Sequence, residues 1–478
     1  MCLKTTSRLF AFLAMSFMVF NCSNPNAEKA TDVNAETTAI SDEMTTADPQ
    51  GQQVAPPLEN VDVPFQSFSV PSTSAQTLTL DNGSSIEVPA AAFVDKKGEP
   101  VNEPVEIRYR EFHDAAEIIA SGIPMSVETG HGKLEYMQTA GMFELKGYTA
   151  NQEEVFIADG KEVVVNMASS VAGDYDFWYF DPEAGNWESQ ATVGAQPNPQ
   201  RAAAESELRK LTQQAARPPV KPVLFDRSKP ALNFQLSYED FPGLKDKRGI
   251  VWQYAGTDEK KDPANNAWIF EKQWEDIKLE GDGLDGKYQL TLVEGATEYS
   301  IPVYPSQKGQ DYEEAKAAYE KKLAAYQAVR ETLKNRQAIA NQKRNFLRSY
   351  KVNNFGIYNY DILYKMPDRM PLAADFDFEG LDNQEMLKPM VTVYLITGDQ
   401  RAIIPYGQSA WDRFSFDPKA DNQLVAIIPG NRIATFSPED FKEQLPKIRQ
   451  SNGKYMFRMK VSDQPVESVA DMQEQILI

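Results

Sequence analysis

Residues 77–89, TLTLDNGSSIEVP, predict two short strands joined by a tight turn. On each side of the turn the apolar side chains alternate with polar ones, so each segment has one face suited to a hydrophobic core. Gly83 lies in the turn, where a positive φ is needed and glycine adopts it without strain. This unit indicates that the fold is built from antiparallel β-structure.

Segments of the same kind continue along the chain at short intervals that turn residues bound. Such spacing is typical of an antiparallel β-sandwich, and it predicts a first domain over residues 65–195. The further strands that we expect in this domain lie at 105–109, 143–148 and 163–167, followed by a hairpin of 177–180 with Trp187.

The stretch 83–93, GSSIEVPAAAF, together with the strand at 105–109, resembles the start of the β-sandwich domain that zonula-occludens proteins, ankyrins and netrin receptors share. The segment 140–145, AGMFEL, resembles the continuation of that domain in its bacterial relatives. In the animal proteins the domain serves protein–protein contact and cytoskeletal attachment, so the resemblance implies a binding role. Some relatives cleave themselves at a His-Phe-Ser sequence, which this chain lacks, and we therefore expect no self-cleavage.

The remainder of the chain predicts a second β-rich region that a long helix interrupts. Residues 196–222 are expected to be a linker, with prolines at both ends and a short helix over 201–216 between them. Strand patterns fill 223–305 and again 348–478, while good helix formers fill 311–347. The predicted fold class is mainly β, with antiparallel β-sandwich domains, one long helix inserted in the C-terminal region and a disordered N-terminal tether.

Several parts of this second region resemble uncharacterised lipoproteins of Bacteroidetes. The resemblance is carried by the sequence FPGL at 241–244, by Trp252, by the long helix and by the stretch FGIYN at 355–359. It spans most of the chain and implies no particular activity.

The first residues have the layout of a secretory signal peptide over 1–21, with Lys4 and Arg8 before an apolar run at 9–20. Residues 19–22, VFNC, resemble the lipobox of bacterial lipoproteins, although Asn21 stands where that family usually has Gly or Ala. The resemblance implies that Cys22 is lipidated, and Ser23 after it implies sorting to the outer membrane, on its periplasmic or cell-surface face. The plainer alternative is an ordinary signal peptide followed by an incidental cysteine.

Residues 22–64 are predicted to form a disordered tether. No aromatic residue occurs between Phe20 and Phe65, and the segment is rich in small and polar residues. Such a segment cannot bury enough apolar area to offset the entropy that folding would cost. Its expected role is to hold the folded domains away from the membrane.

The formal net charge of the chain is −20. A strongly acidic protein repels phosphate backbones, so we expect no nucleic-acid partner. It is also repelled by an anionic lipid surface, so membrane attachment is expected through the lipid anchor and not through basic patches. The two histidines, His113 and His131, are too few for a histidine-rich metal site, and no cofactor is predicted.

The two histidines each have a plain interpretation and a chemical one. His113 could act as a base with Asp114, but neighbouring side chains on an extended chain point to opposite faces. A surface-loop histidine is the simpler interpretation. His131 lies between two glycines and is expected to be a turn residue. We predict no catalytic residue at either position.

Two acidic patterns are candidates for metal or glycosidase chemistry. Asp282 and Asp285, in the sequence DGLDG, are weak calcium candidates because a third alternating acid and a bidentate Glu are missing. The segment 375–379, DFDFE, would place three acids on one face of a strand and two phenylalanines on the other. Paired-carboxylate chemistry would need those acids, whereas solvated acids over a buried aromatic face explain the pattern equally well.

The long helix carries an apolar residue at every seventh position. This stripe could pack on the parent domain, or it could bind a partner or seed a coiled coil, although charged residues at the flanking positions disfavour a long two-stranded coil. The stripe consists of Tyr312, Tyr319, Tyr326, Leu333, Ala340 and Leu347.

The function that we predict is non-catalytic binding or structural support in the cell envelope, with protein or polysaccharide as the partner. The residues expected to make contact are Trp187, Trp268 and the first three tyrosines of the helix stripe. One alternative is an envelope hydrolase that uses paired carboxylates or a metal. Another is a surface component that assembles with itself through the long helix.

Overall fold

The computed structural model describes residues 51–130, 132–214, 217–234, 241, 244, 249–281, 283 and 285–476. The chain is mainly β, with 39% of its residues in strands and 24% in helices, which confirms the predicted fold class. The predicted signal peptide, Cys22 and the first part of the tether lie outside the described residues. Within the described ranges, no helix is both long and apolar enough to cross a membrane.

The first part of the chain forms twelve of the described strands and one helix. Strand β7 is the longest of these, and a bulge at Gly141, where φ is 130°, interrupts it. The elements are β1 (Gln66–Val70), β2 (Gln76–Thr79), β3 (Ser85–Val88), β4 (Phe93–Val94), β5 (Val105–Phe112), α1 (Ala115–Ser121), β6 (Ser126–Glu128), β7 (Leu134–Tyr148), β8 (Phe156–Ile157), β9 (Val163–Ser169), β10 (Asp174–Asp181), β11 (Asn186–Gly194) and β12 (Gln196–Pro197).

The middle of the chain forms a small separate sheet between two helices. Its strands pair only with one another among the described residues, and we call residues 223–307 the β-head. The elements of this part are α2 (Pro199–Gln214), β13 (Val223–Leu224), β14 (Val251–Tyr254), α3 (Trp268–Glu271), β15 (Asp276–Glu280), β16 (Tyr288–Glu294), β17 (Thr297–Gln307) and α4 (Gly309–Gln342).

The last part of the chain adds nine described strands and three helices. The elements are β18 (Phe346–Val352), β19 (Gly356–Leu363), β20 (Met370–Glu379), α5 (Gln384–Leu387), β21 (Thr392–Thr397), β22 (Ala402–Gly407), β23 (Phe414–Phe416), β24 (Gln423–Ile428), β25 (Arg432–Phe436), α6 (Pro438–Arg449), β26 (Lys454–Val461) and α7 (Val469–Ile476). Helix α6 begins at a local cap, because Ser437 and Asp440 form a reciprocal capping box.

The hairpin predicted from residues 77–89 is present. Strands β2 and β3 pair antiparallel with Leu78 opposite Ile86, and Gly83 has a φ of 97° in the turn between them. A side chain at Gly83 would also collide with Asn198, because an added Cβ would lie 2.5 Å from its Nδ2 atom. Glycine is therefore required here for both its conformation and its size.

The first domain is a sandwich of two antiparallel sheets that share one core. The smaller sheet has the order β12-β18-β9-β3-β2, and the facing sheet contains β1, β5, β7, β19, β10 and β11. Their inner faces meet in an aromatic and aliphatic core that includes Ile86, Val165, Phe143 and Phe177. The predicted sandwich over residues 65–195 is thus correct in type.

The boundaries of the predicted domains need correction in two places. Residues 346–363 were assigned to the second β-rich region, but β18 pairs with β9 and β19 pairs with β7, so they complete the first sandwich. The large sheet then continues from β7 through β22 into the remaining C-terminal strands. The β-head and helices α2 and α4 are therefore an insertion between two strands of the sandwich.

The predicted tether and helix also end at other residues than expected. Residues 51–64 belong to the folded body, since Leu58 and Val61 are buried in a core beside α1. The long helix covers Gly309–Gln342 in place of 311–347. Leu347, the last member of the predicted stripe, lies in β18, because strand pairing with β9 overrides the helical pattern there.

Candidate functional site

The β-head carries a group of aromatic side chains near its surface, held on a loop that its own polar side chains brace. The Asn266 side chain donates to the carbonyls of Lys260 and Asp262, at 2.9 and 2.8 Å. The Tyr299 hydroxyl donates to the Lys261 carbonyl at 2.5 Å and so ties this loop to β17. The loop enters α3 in one fixed direction, which sets the position of Trp268.

The rings of this group contact one another at defined angles. The Trp268 ring lies 5.9 Å from the ring of Trp274 and 5.6 Å from that of Tyr299, the latter edge-to-face at 79°. The Trp268 indole donates to Asn266 Oδ1 at 3.1 Å, and the Trp274 indole donates to the Ile269 carbonyl at 2.9 Å. Both indole N–H groups are satisfied internally, so the exposed ring surface is the part left for contact with a partner.

A single ion pair sits beside the rings. Lys272 Nζ lies 5.2 Å from the Trp274 ring centre and 5.9 Å from that of Trp268, within cation–π range. The same ammonium contacts Glu294 at 2.5 Å, so the pair adds no net charge. Burial raises the pKa of Tyr299 to about 12, so its hydroxyl stays protonated and keeps donating to the loop.

One of these rings remains widely open to solvent. Trp268 is 43% exposed, whereas Trp274 is half-buried and Tyr299 is only 8% exposed. We call Trp268, Lys272, Trp274 and Tyr299 the aromatic platform; Phe270 is exposed as well, but it lies two residues from Trp268 on α3 and so does not share its face. A braced aromatic surface of this kind can accept an apolar face of a partner with little loss of conformational freedom.

Trp187 does not belong to any exposed surface, and its prediction as a binding residue is wrong. It is 3% exposed, packs edge-to-face on Phe180 at 5.3 Å, and its indole donates to the Pro124 carbonyl at 2.9 Å. Phe180 and Trp187 are register partners in the β10–β11 hairpin. Their shared face turns into the core beneath α1, which the strand pattern alone did not reveal.

The three tyrosines of the long helix are each half-buried. Tyr319 borders a groove with Pro218, Pro219 and Tyr304 of the same chain, and Tyr326 borders another with Leu208 of α2. These neighbours favour packing of the stripe on its own chain, one of the two alternatives for Tyr312, Tyr319 and Tyr326. The predictions that the helix binds a partner or forms a coiled coil stay predictions.

His113 pairs with Glu111 and not with Asp114. Its Nε2 lies 2.6 Å from Glu111 Oε2, and the two side chains are only 9% and 6% exposed. Burial alone would raise the pKa of Glu111, but the hydrogen bond and charge of His113, with two hydroxyl donors, hold it below its usual value. Asp114 instead caps α1 by accepting from the Glu117 amide at 3.0 Å.

The sequence contains a signal for the pairing of His113 with Glu111. Residues two apart on a strand point to the same face, and Glu111 lies two residues before His113. The simpler interpretation of His113 as a surface-loop residue is also wrong, because the side chain is buried under the turn at Asn82, whose amide contacts Glu111. His131 lies outside the described residues.

The described calcium candidate, Asp285, is held by a turn of its own chain. Asp285 lies in an exposed turn, where its carboxylate accepts from the Lys287 amide at 3.0 Å, and Asp282 lies outside the described residues. Across the described part of the chain, no cluster of three or more His, Cys, Asp or Glu side chains could hold a metal ion.

The acids at 375–379 lie on the outer face of β20, where Asp375 forms an ion pair. Lys388 Nζ contacts Asp375 at 2.9 Å, and Arg458 and Lys460 of β26 are the register partners of Asp377 and Glu379. On the opposite face Phe376 and Phe378 are fully buried. This arrangement is the plainer of the two interpretations, in which acids at the surface cover a buried aromatic face.

The platform members other than Trp268 were not foreseen. The segment 268–274, WIFEKQW, is dense in aromatic residues, which is a sequence signal for such a group. The sequence does not say which of these rings is exposed. Tyr299 reaches the platform from a separate strand, which only the pairing of β16 with β17 brings close.

Comparison with known proteins gives no match, whether with family models, with curated proteins or with solved structures.

Proposed function

We propose that this chain is a lipid-anchored protein of the outer membrane, on its periplasmic or cell-surface face, with a non-catalytic binding role toward envelope protein or polysaccharide. The lipobox-like sequence ending at Cys22 supports the anchor. The aromatic platform supports the binding role, and it is the observation that carries this proposal.

Covering exposed aromatic surface with a partner is favourable. Transfer of apolar area out of water is worth roughly 25 cal/mol per Å², and Trp is enriched among the residues that dominate binding energies at interfaces. The platform offers Trp268 beside Trp274 on a loop that hydrogen bonds already hold in place. A partner with an apolar face, such as the C–H side of a sugar ring or an aliphatic protein patch, fits it.

The position of the β-head, inserted between two strands of the sandwich, suits it to contact a partner. Helix α4 has 34 residues, which corresponds to a rod of about 50 Å, and it connects the β-head to the sandwich. The β-head has its own core, which includes Trp252, Leu290 and Ile301. A unit that folds around its own core and is joined through helices can present a surface without disturbing the sandwich.

Replacing Trp268 with Ala is expected to weaken envelope contacts by about tenfold or more, the loss typical of an interface hot spot. The measurement is capture of envelope protein and of insoluble envelope polysaccharide by the purified chain. Leu224→Ala is the matched control, because Leu224 is 54% exposed on the same β-head outside the platform. If Trp268→Ala retains every contact that the control retains, the platform has no binding role.

The anchor is tested separately through Cys22. We expect the wild-type chain to incorporate labelled palmitate and to fractionate with the outer membrane, whereas Cys22→Ser incorporates none and is released into the soluble fraction. Cys2→Ser is the control, since Cys2 would leave with the signal peptide. Equal labelling of wild type and Cys22→Ser, or a soluble wild type, would refute the anchor.

A further inference from the structure

Helix α2 and the C-terminal part of α4 pack against each other in antiparallel directions. Arg201 near the start of α2 donates to the carbonyls of Ala340 and Lys343 at the end of α4. Further along the pair, Arg336 lies 3.4 Å from Glu207. The two helices therefore form one elongated surface beside the sandwich.

This surface has the opposite charge to the protein as a whole. Residues 199–214 and 321–344 contain ten Lys and Arg but only three Asp and Glu, whereas the complete chain has a net charge of −20. We call these two segments the basic helix pair. The overall acidity of the chain conceals it, because the net charge says nothing about where the charges lie.

An open groove of about 810 Å³ runs between the two helices. Tyr326, Arg330 and Lys334 line it from α4 and recur at every fourth residue, which places them in one row. Leu208 and Leu333 also line the groove and are half-buried, and the acid Glu331 lines it as well. In the described part of the chain neither Arg330 nor Lys334 forms an ion pair, and both are exposed.

We propose that this groove binds the phosphate headgroups of an anionic lipid bilayer. Arg330 supplies a planar guanidinium that can hold two phosphate oxygens at once, and Lys334 one turn further supplies a second cation. Tyr326 is a residue type that favours the boundary between headgroups and acyl chains. The half-buried leucines add apolar surface next to these exposed cations.

The acidity of the remaining chain does not prevent this contact. Charges more than about 8–10 Å away are largely screened at physiological salt, so the local cations decide the interaction once the groove reaches the surface. If Cys22 is acylated, the 30 residues from Cys22 to Gly51 can extend to at most about 100 Å. The anchor thus brings a bilayer within reach, and in this respect the inference rests on the proposed function.

The test uses the full chain carrying Cys22→Ser, so that no acyl group contributes to binding. It is mixed with vesicles of phosphatidylcholine alone or of phosphatidylcholine with an equal share of phosphatidylglycerol, and bound protein is measured by flotation. We expect binding to the anionic vesicles only, and weaker binding as salt is raised. Arg330→Gln with Lys334→Gln should weaken it by about thirtyfold, since each basic side chain contributes roughly 1 kcal/mol.

The matched control is Lys419→Gln with Lys442→Gln, which removes the same charge from exposed positions in the C-terminal part, 71% and 66% open to solvent. Equal binding to both kinds of vesicle, no binding to either, or a thirtyfold loss in the control as well would each overturn the proposal. Because the tested chain is not acylated, its result is independent of the palmitate experiment. The two experiments therefore distinguish a wrong anchor prediction from a wrong proposal for the groove.

Discussion

Replacing Arg348 with Ala is expected to lower the free energy of unfolding by about 3–5 kcal/mol, the sum of unpaired carbonyls and a new cavity. Arg348 is fully buried, and its two terminal nitrogens donate to the carbonyls of Val171 and Val193, each at 3.0 Å. One side chain in β18 thus satisfies a carbonyl just after β9 and another near the end of β11, which belong to different sheets. Removing it takes the side-chain donor from both part-buried carbonyls and leaves a cavity at a fully buried position.

Aromatic rings, as well as carbonyls, stabilise the positive charge of Arg348. Its guanidinium lies 4.7 Å from the Tyr175 ring centre and 5.9 Å from that of Tyr360. Burial lowers the pKa of Arg348, and these two tyrosines partly oppose that effect. A lysine at this position would keep the charge, but a single ammonium cannot reach both carbonyls in the fixed fork that arginine provides.

Denaturant unfolding measures this prediction directly, with the midpoint compared at unchanged slope. Arg348→Lys should lie between wild type and Arg348→Ala. Arg413→Ala is the control, since its side chain is 50% exposed, and surface substitutions usually change stability by less than about 0.5 kcal/mol. An alanine variant at position 348 that unfolds with the control would show that the carbonyls find other donors.

Replacing Asp361 with Asn is expected to stabilise the protein at neutral pH, by an amount that grows with pH. Asp361 is fully buried; its Oδ2 accepts from Asn359 at 2.6 Å, while Oδ1 has no hydrogen-bond partner among the described residues. Burial raises the pKa of Asp361 well above its usual value, and Thr139, Asn359 and the charge of Arg401 offset this only in part. The fold therefore favours the protonated form of this side chain.

The direction of the pH effect follows from this raised pKa. An unfolded Asp ionises near pH 3.9, so above that pH folding requires Asp361 to take up a proton. Its favourable contribution is complete below the unfolded pKa and is lost as pH rises toward the folded pKa, by about 1.4 kcal/mol per pH unit. Asn is neutral in both states and does not show this loss.

The measurement is urea unfolding of wild type and Asp361→Asn at several pH values between about 5 and 7. The difference in stability should widen with pH, by more than 1 kcal/mol over that interval. Asp382→Asn is the control, because Asp382 is exposed. Parallel pH profiles for wild type and Asp361→Asn would mean that Asp361 is ionised in the folded protein.

Parts of the fold that depend on neighbours along the chain were predictable. The β2–β3 hairpin, the β10–β11 hairpin and the cap of α6 each form within short sequence distances. In such units the alternation of side chains, the turn residue and the capping box act locally. The exposed position of Trp268 was also foreseen, although its partners on the platform were not.

Parts that depend on distant pairing were not predictable. Residues 346–363 have the alternation of side chains typical of strands, but this pattern does not identify β9 or β7 as the pairing partner. Trp187 was assigned to the surface because a hairpin has two faces, and the sequence does not say which one faces the core. The same holds for Glu111 and His113, whose burial depends on a turn 29 residues earlier.

The distribution of charge gives the clearest contrast between the sequence as a whole and its folded arrangement. The net charge predicted that no basic surface would help the chain attach to a membrane, whereas the antiparallel packing of α2 on α4 gathers ten basic residues from two distant segments. The net charge of a chain does not depend on where its charged residues lie. Acidic and basic residues can therefore form separate patches in the folded protein without changing it.

The sequence by itself determined that the protein is mainly β, where its local hairpins and caps form, and that a long helix interrupts its second half. These features follow from the periodicity of side chains and from turn chemistry, which act over a few residues. Only the tertiary structure decided which strands complete the sandwich, which tryptophan is exposed and where the basic residues meet. These depend on contacts between residues far apart in sequence, whose free energy no local pattern encodes.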